Sequence, residues 1–347
     1  MSPKSTGKSA QTSPSSRGFD KELAELEALS EQVRAGGALS AETIEHLRKA
    51  LTHRNNFLVS KAAKLIADAE LAALLPDVLL AYDRFFVDAV KSDPQCWAKN
   101  ALSKTLVKLE HRQRDAYLRG MRHHQLEPVW GGSSDTAGAL RGTCTHALVD
   151  CPGISDADLL TALLEPLTDT DKTVRMEAAR AIAQVGGVSA ALLLRLSALL
   201  AKAEPEPEVL GAVYSSLLSL EPVAAIPLVA KALEAGDDTA AEAAFALADV
   251  RSAEALAALL ARLRAGADTW FGSVLLSAIA LTRLPEALEF LIATIARDSR
   301  EAPAAIEAIG RIAPNAEIVA RIAQAVEQAD STRLRQAMVQ HLPAIPD

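Results

Sequence analysis

The chain has 347 residues, of which half are apolar and only 4% aromatic, and a formal net charge of −8. Ala and Leu dominate the apolar residues, which is typical of closely packed helices rather than sheets. The odd count of three cysteines argues against a disulfide framework. The chain has no run of 18 apolar residues, which argues against a membrane span, and no hydrophobic leader, which argues against a signal peptide. We expect an all-α protein without strands in a reducing, cytoplasmic compartment.

The first eighteen residues are Ser, Thr, Pro, Gly and basic residues that offer almost nothing to bury. Ordering them would cost conformational entropy that no burial of apolar surface would offset, so residues 1–18 are predicted to form a disordered tail. Gly7-Lys8-Ser9 matches the end of a phosphate-binding loop, but Ser2 stands where the leading glycine belongs. Helical periodicity begins at Phe19, and residues 19–39 are predicted to form an N-terminal capping helix.

From residue 40 to residue 345 a helix–turn–helix pattern recurs, most clearly in residues 155–187. One such unit cannot bury its apolar stripe alone, so it must stack on copies of itself. A small or apolar residue marks each predicted second helix, at intervals that average 34.5 residues. The markers are Ala62, Ala101, Cys144, Ala178, Val213, Ala244, Ala278, Ile306 and Met338. The pattern predicts nine helical pairs in one continuous solenoid.

An acidic residue in the turn, followed six residues later by a cation, recurs in the early units. The pairs are Asp93 with Lys99, Asp135 with Arg141, Asp169 with Arg175 and, more weakly, Asn55 with Lys61. The turn residue can cap the second helix, and the cation can meet the turn of an adjacent unit. The tetratricopeptide pattern of Trp, Leu-Gly and Tyr is absent.

This spacing and the apolar pattern around it resemble the HEAT-repeat family, in particular the short bacterial repeats related to those of phycobilisome lyases. The match is closest at Leu164, Leu167, Asp169, Val174, Arg175, Ala178, Ala179, Ile182 and Gly186. The resemblance implies a right-handed α–α superhelix in which the turn acids and the cations form a ladder between units. It also implies that second helices line the concave side.

Charge is distributed unevenly, with a net +4 in residues 40–125 and a net −12 in residues 126–347. This asymmetry predicts an acidic partner for the N-terminal third, unless the solvated faces simply differ in composition.

The predicted helix over residues 95–110 carries a polar face that is a candidate binding surface. Asn100, Lys104 and Lys108 follow Trp97 by three, seven and eleven residues. In a helix these offsets place all four side chains close together on that face. Trp97 is either an apolar anchor with a basic rim or a core residue at the position that Val174 occupies in its own unit.

Arg141 and Thr145 would extend the same partner surface into the next unit. Arg175 is interpreted as a ladder residue rather than a ligand-binding one.

Trp130 and the following glycines lie in an insertion that gives the repeat array its longest spacing. Such a loop can carry function on a rigid scaffold, with Trp130 in the partner site and the Gly131-Gly132 amides facing an anion. Alternatively, Trp130 packs over the gap between helices and the glycines only let the chain turn.

The sequence contains no catalytic motif, and Cys144, His146, Asp150 and Cys151 do not share one helix face. We therefore predict no enzyme activity, metal or cofactor. The favoured hypothesis is a noncatalytic scaffold that binds a protein or peptide along the concave face.

The alternative is a nucleic-acid binder similar to the DNA glycosylases built from HEAT-like repeats, with Asp93 as the acidic residue beside Trp97. The net negative charge weighs against nucleic acid.

Overall fold

A computed structural model describes residues 14–36 and 39–342 of the chain, with side chains from residue 18 onward. Over these residues the chain forms twenty α-helices and one two-stranded sheet, so the predicted all-α fold class is confirmed. In the same range, no helix is both long enough and apolar enough to cross a membrane. Residues 1–13 of the predicted tail, with Gly7-Lys8-Ser9, and residues 343–345 of the predicted solenoid lie outside the described part.

The chain divides into two compact units, the first ending at Ile154 and the second beginning at Ser155. In the first unit, α2 pairs with α3, α4 with α6 and α7 with α8, and the second helices α3, α6 and α8 stack in that order. Its elements are α1 (Pro14–Arg34), α2 (Ala41–Leu51), α3 (Asn56–Asp68), α4 (Leu75–Arg84), α5 (Ala89–Ser92), α6 (Trp97–Lys108), α7 (Arg114–Met121), β1 (Leu126–Val129), β2 (Gly132–Asp135) and α8 (Gly138–Ala147).

The second unit repeats the same arrangement six times, each odd-numbered helix pairing with the even-numbered helix that follows it. The even-numbered helices stack on one another from α10 to α20. The helices are α9 (Asp156–Leu167), α10 (Lys172–Val185), α11 (Gly187–Leu199), α12 (Pro207–Leu220), α13 (Ile226–Ala232), α14 (Asp238–Val250), α15 (Ala253–Arg264), α16 (Thr269–Leu281), α17 (Pro285–Ala296), α18 (Ala302–Arg311), α19 (Ala316–Ala329) and α20 (Thr332–His341).

Three pairs in the first unit and six in the second make up the nine predicted pairs within the described residues. Every marker residue lies on the second helix of its pair. All the markers are buried except Ala101 and Met338, which are half-buried. The core therefore runs between stacked second helices, where small residues let the backbones approach closely.

Helix starts follow the polar residues that the sequence provides. The Ser40 hydroxyl accepts a hydrogen bond from the Thr43 amide at 3.1 Å, and Asn55 caps α3 through the Phe57 and Leu58 amides. The first helix begins at Pro14, ahead of the predicted start at Phe19, so residues 14–18 are helical rather than part of a tail.

The prediction that the chain has no strand is wrong between Leu126 and Asp135. There β1 and β2 form an antiparallel hairpin in which Val129 pairs with Gly132, so Trp130 and Gly131 make the turn. Gly131 has φ of +86°, a conformation that favours glycine. The Gly131-Gly132 pair thus closes a hairpin and does not stand at a helix N-terminus, since α8 begins at Gly138.

Candidate functional site

A groove of about 610 Å³ lies between α3 and α6, the second helices of the first two pairs. The side chains that line it come from matching faces of these two helices. They are Phe57, Ser60, Lys61, Lys64, Ala67, Asp68, Trp97, Asn100, Ala101, Lys104, Thr105 and Lys108. The structure thus brings together the four residues predicted on α6, while their role in binding stays a prediction.

Two aromatic rings form one end of the groove. Trp97 meets Phe57 edge to face, with 5.5 Å between ring centroids, and Phe57 also lies 6.4 Å from Phe19 of α1. The Lys61 ammonium stands over the Phe57 ring at 5.1 Å. Trp97 remains 48% exposed, so it is neither a fully buried core residue nor an isolated surface one. It presents apolar surface that a ligand can cover.

A strained backbone segment positions Trp97 at the first turn of α6. Gln95 and Cys96 adopt left-handed φ values of 61° and 54°, which non-glycine residues rarely do. The Glu127 carboxylate holds this segment, because it accepts hydrogen bonds from the Gln95 amide at 2.7 Å and from its side chain at 3.2 Å. The helix therefore starts at Trp97, two residues later than predicted.

Four lysines surround the groove, and they differ in how far they are neutralised. Lys108 forms an ion pair with Glu70 at 2.7 Å, and this hydrogen bond raises the Lys108 pKa. Over the described range, Lys61, Lys64 and Lys104 have no carboxylate within ion-pair distance. Three ammonium groups are thus available to an anionic ligand.

The floor of the groove is tied together across the two helices. The Thr105 hydroxyl is buried and lies 2.9 Å from the carbonyl oxygens of Ala63 on α3 and Ala101 on α6. This contact fixes the separation of α3 and α6 and therefore the width of the groove. Asn100 is half-buried beside Ala101.

Arg141 and Thr145 do not extend this surface, and that prediction is wrong. Arg141 is 1% exposed and Thr145 is fully buried, because their side of α8 packs into the first unit. The Arg141 guanidinium pairs with Asp135 at 2.6 Å and donates to the His123 carbonyl at 3.1 Å.

Trp130 does not line the groove, and it does not pack over a gap between helices. It is fully exposed at the tip of the hairpin. The insertion drew attention to Trp130, but its exposed position at a hairpin tip was not predicted, because the hairpin itself was not predicted.

The ladder around Asp93 is buried and spans three helical pairs. Both Asp93 and Lys99 are 0% exposed and pair at 3.0 Å. The Asp93 carboxylate also accepts from the Asn56 side chain of the preceding pair at 2.8 Å, and the Asp93 carbonyl accepts from Gln125 of the following pair at 2.7 Å. Asp93 is therefore a structural residue and is not available as an acid beside Trp97.

The other two ladder pairs, Asp135 with Arg141 and Asp169 with Arg175, make different contacts from those of Asp93. Asp135 accepts hydrogen bonds from the Gln125 and Ala137 amides at 3.0 Å each, as well as from Arg141. Burial acts to raise the pKa of Asp135, but these hydrogen bonds outweigh it and hold the pKa well below its usual value.

Arg175 donates to the backbone carbonyl of Asp169 at 2.7 Å, and it forms an ion pair with Glu204 of the following pair. The link that the resemblance implied between Arg175 and an adjacent helical pair is therefore made with Glu204, which the six-residue spacing did not reveal.

Sequence reasoning missed the α3 side of the groove. Phe57, Lys61, Lys64 and Asp68 follow the same spacing of three and four residues that singled out Trp97, Asn100, Lys104 and Lys108. Comparison of the two helices in register could have found them. Asn56, Gln125 and Glu127 were also missed, since their partners come from neighbouring pairs.

The three cysteines are free and buried, and burial raises the pKa of Cys96 and of Cys144 to about 12. In the described part of the chain, no group of three or more His, Cys, Asp or Glu side chains is placed to hold a metal ion.

No family model matches this chain, and no curated protein matches it. Among solved structures it is similar to an engineered protein, target OR329 of the Northeast Structural Genomics Consortium. The two share 18% identity over 85% of this chain and 97% of that chain, with a TM-score of 0.19. A likeness of that quality carries no argument about fold or function.

Proposed function

We propose that this protein is a noncatalytic interaction scaffold whose groove between α3 and α6 binds an acidic peptide segment bearing an apolar side chain. The observation that carries the proposal is the placement of three lysines without ion-pair partners around the half-exposed Trp97. The apolar side chain would cover Trp97 and Phe57, while carboxylates would meet Lys61, Lys64 and Lys104.

The shape of the groove favours a helical or extended peptide over a compact ligand. The groove is open along both helices, and the twelve residues of α6 span about 18 Å. Glu27 and Glu31 of α1 border a second cleft together with Lys61 and Lys64. A partner helix of similar character on the other side of α3 would use the same charges.

A single-stranded nucleic acid is the second candidate, since bases can stack on Trp97 and phosphates can meet the lysines. Asp68 and Glu70 weaken it because they place carboxylates at the edge where a phosphate backbone would run. The net charge of −8 opposes a nucleic acid, which carries a charge at every nucleotide, more strongly than a peptide in which neutral residues separate the carboxylates.

We propose that the repeats are of the HEAT type. Support comes from nine helical pairs in the described residues and from turn acids that pair with cations six residues later at Asp93 and Asp135. We also propose a reducing, cytoplasmic location, since all three cysteines are buried free thiols.

The test measures fluorescence anisotropy of a labelled helical peptide of about 20 residues, rich in Glu, with Leu repeating every three or four positions. The full chain should bind it with micromolar affinity, and Trp97→Ala should weaken binding by about tenfold or more. A labelled oligothymidine strand is titrated in parallel across salt concentration. Tighter binding of the strand, with a steep loss of affinity at high salt, would favour the nucleic-acid alternative.

Lys64→Glu with Lys104→Glu should abolish peptide binding. Lys202→Glu with Lys231→Glu serves as the control, because it makes the same charge change at exposed positions of the second unit. Equal losses in both double variants would show that only net charge matters, and would contradict a specific groove.

A further inference from the structure

A second surface, in the second unit, is apolar where a solvent-facing helix is normally polar. Helix α11 carries one charged residue, Arg195, and Arg195 pairs with Glu221 of the neighbouring segment. Apart from Gly187 and Ser189, every position that α11 and its C-cap leave exposed holds a large aliphatic side chain. These side chains are Val188, Leu192, Leu196, Leu199 and Leu200, between 54% and 78% exposed.

The exposed residues form one stripe along the helix. Offsets of four, eight, eleven and twelve residues from Val188 fall within about a third of the helix circumference. The opposite side, with Ala190, Ala191, Leu194 and Ala198, is buried in the unit's own core. A helix that is apolar on all sides is stable in water when its second face is also covered.

We propose that the α11 stripe packs against the same stripe of a second copy of this chain in an antiparallel, two-fold symmetric pair. The lack of charge on the stripe argues for this partner. A charged surface would have no opposite charges to pair with on the stripe, whereas two identical neutral stripes would not repel each other. The proposal is independent of the groove between α3 and α6.

The available area agrees with a weak dimer. Each exposed aliphatic side chain offers on the order of 100 Å², so two stripes together bury about 1,000 Å², near the lower limit for a specific interface. The thirteen residues of α11 span about 20 Å, enough for a helix-to-helix contact of that size. We therefore expect dissociation in the micromolar range rather than an obligate dimer.

Sedimentation equilibrium of the full chain over about 1–100 µM tests this, because a micromolar dimer forms within that range. The mass of the wild type should rise from that of one chain to that of two. Leu192→Glu with Leu196→Glu should weaken association by at least about tenfold. Leu80→Glu with Val87→Glu is the matched control, because Leu80 and Val87 are each 70% exposed in the first unit, and this variant should associate like the wild type.

A monomeric wild type across the whole range would overturn the proposal, as would a dimer that the double variant leaves intact. A second measurement covers the case in which the double variant fails to fold. Leu196→Cys should give a covalent dimer with a short bifunctional maleimide, whereas Leu80→Cys should not, and the three native thiols are buried. Equal cross-linking at both positions would contradict a defined interface.

Discussion

Asp93 shows how much a single turn residue can do in this fold. Its carboxylate caps α6 through the Ala98 and Lys99 amides, pairs with Lys99 and accepts from Asn56 of the preceding pair. The spacing of six residues predicted the Lys99 contact, since Asp93 and Lys99 belong to one helical pair. It could not predict Asn56, because a hydrogen bond between neighbouring helical pairs depends on how the helices stack.

We expect Asp93→Ala to lower the free energy of unfolding of the first unit by about 3–5 kcal/mol, because it leaves the buried Lys99 ammonium uncompensated. Urea denaturation followed by circular dichroism measures the change. Arg321→Ala, which removes an exposed ion pair with Glu289, is the control and should change little. A loss for Asp93→Ala as small as that of the control would mean that the ladder is not a stabilising element.

Asp135 makes stability depend on pH in a defined direction. Its pKa in the folded chain lies well below the usual value, so the unfolded chain takes up the proton first as pH falls. The stabilisation is therefore complete at neutral pH and is lost as pH falls below about 4, toward the folded pKa.

Asp135→Asn should lower the unfolding free energy at pH 7 by on the order of 2 kcal/mol, and the difference from wild type should shrink between about pH 4 and pH 2. Urea titrations at several pH values check this, with the exposed Asp115→Asn as control. A difference that stays constant over that range would show that protonation of Asp135 is not coupled to folding.

At the scale of elements, the sequence predicted the helical pairs well and the hairpin not at all. The pairs follow from a local signal, since small residues such as Ala178 and Ala244 recur at helical spacing and are buried. The hairpin strands contain Pro128 and three polar residues from Ser133 to Asp135, and lack the alternation that marks a strand. Glu127 ties the first strand to the turn before α6 through Gln95, a contact distant in sequence that no local pattern reveals.

Glu127 and Trp130 on the same hairpin should respond in opposite ways. The buried Glu127 carboxylate accepts hydrogen bonds from Gln95, Gln125 and Thr136, so Glu127→Ala should destabilise the first unit by about 1–3 kcal/mol. Trp130→Ala should leave thermal unfolding nearly unchanged, since Trp130 is fully exposed. If Trp130→Ala is the more destabilising change, the hairpin tip has a contact that the structure does not show.

At the scale of the whole molecule, charge and apolar surface are separated along the chain. The basic groove belongs to the first unit, while residues 126–347 carry a net −12 and include the neutral stripe of α11. The charge count over residues 40–125 predicted an acidic partner, a prediction that stays open, and the structure places four lysines of that segment around one groove. What composition could not supply was Phe57, whose ring adds apolar surface beside Trp97.

A reciprocal charge exchange tests the binding groove most directly. The Glu-rich peptide and a matching Lys-rich peptide, both with the same Leu spacing, are titrated against the wild type and against Lys64→Glu with Lys104→Glu. The wild type should bind only the Glu-rich peptide, and the variant should lose it and gain the Lys-rich one. Binding of both peptides by the wild type, or a variant that binds neither while keeping its fold by circular dichroism, would contradict recognition by these lysines.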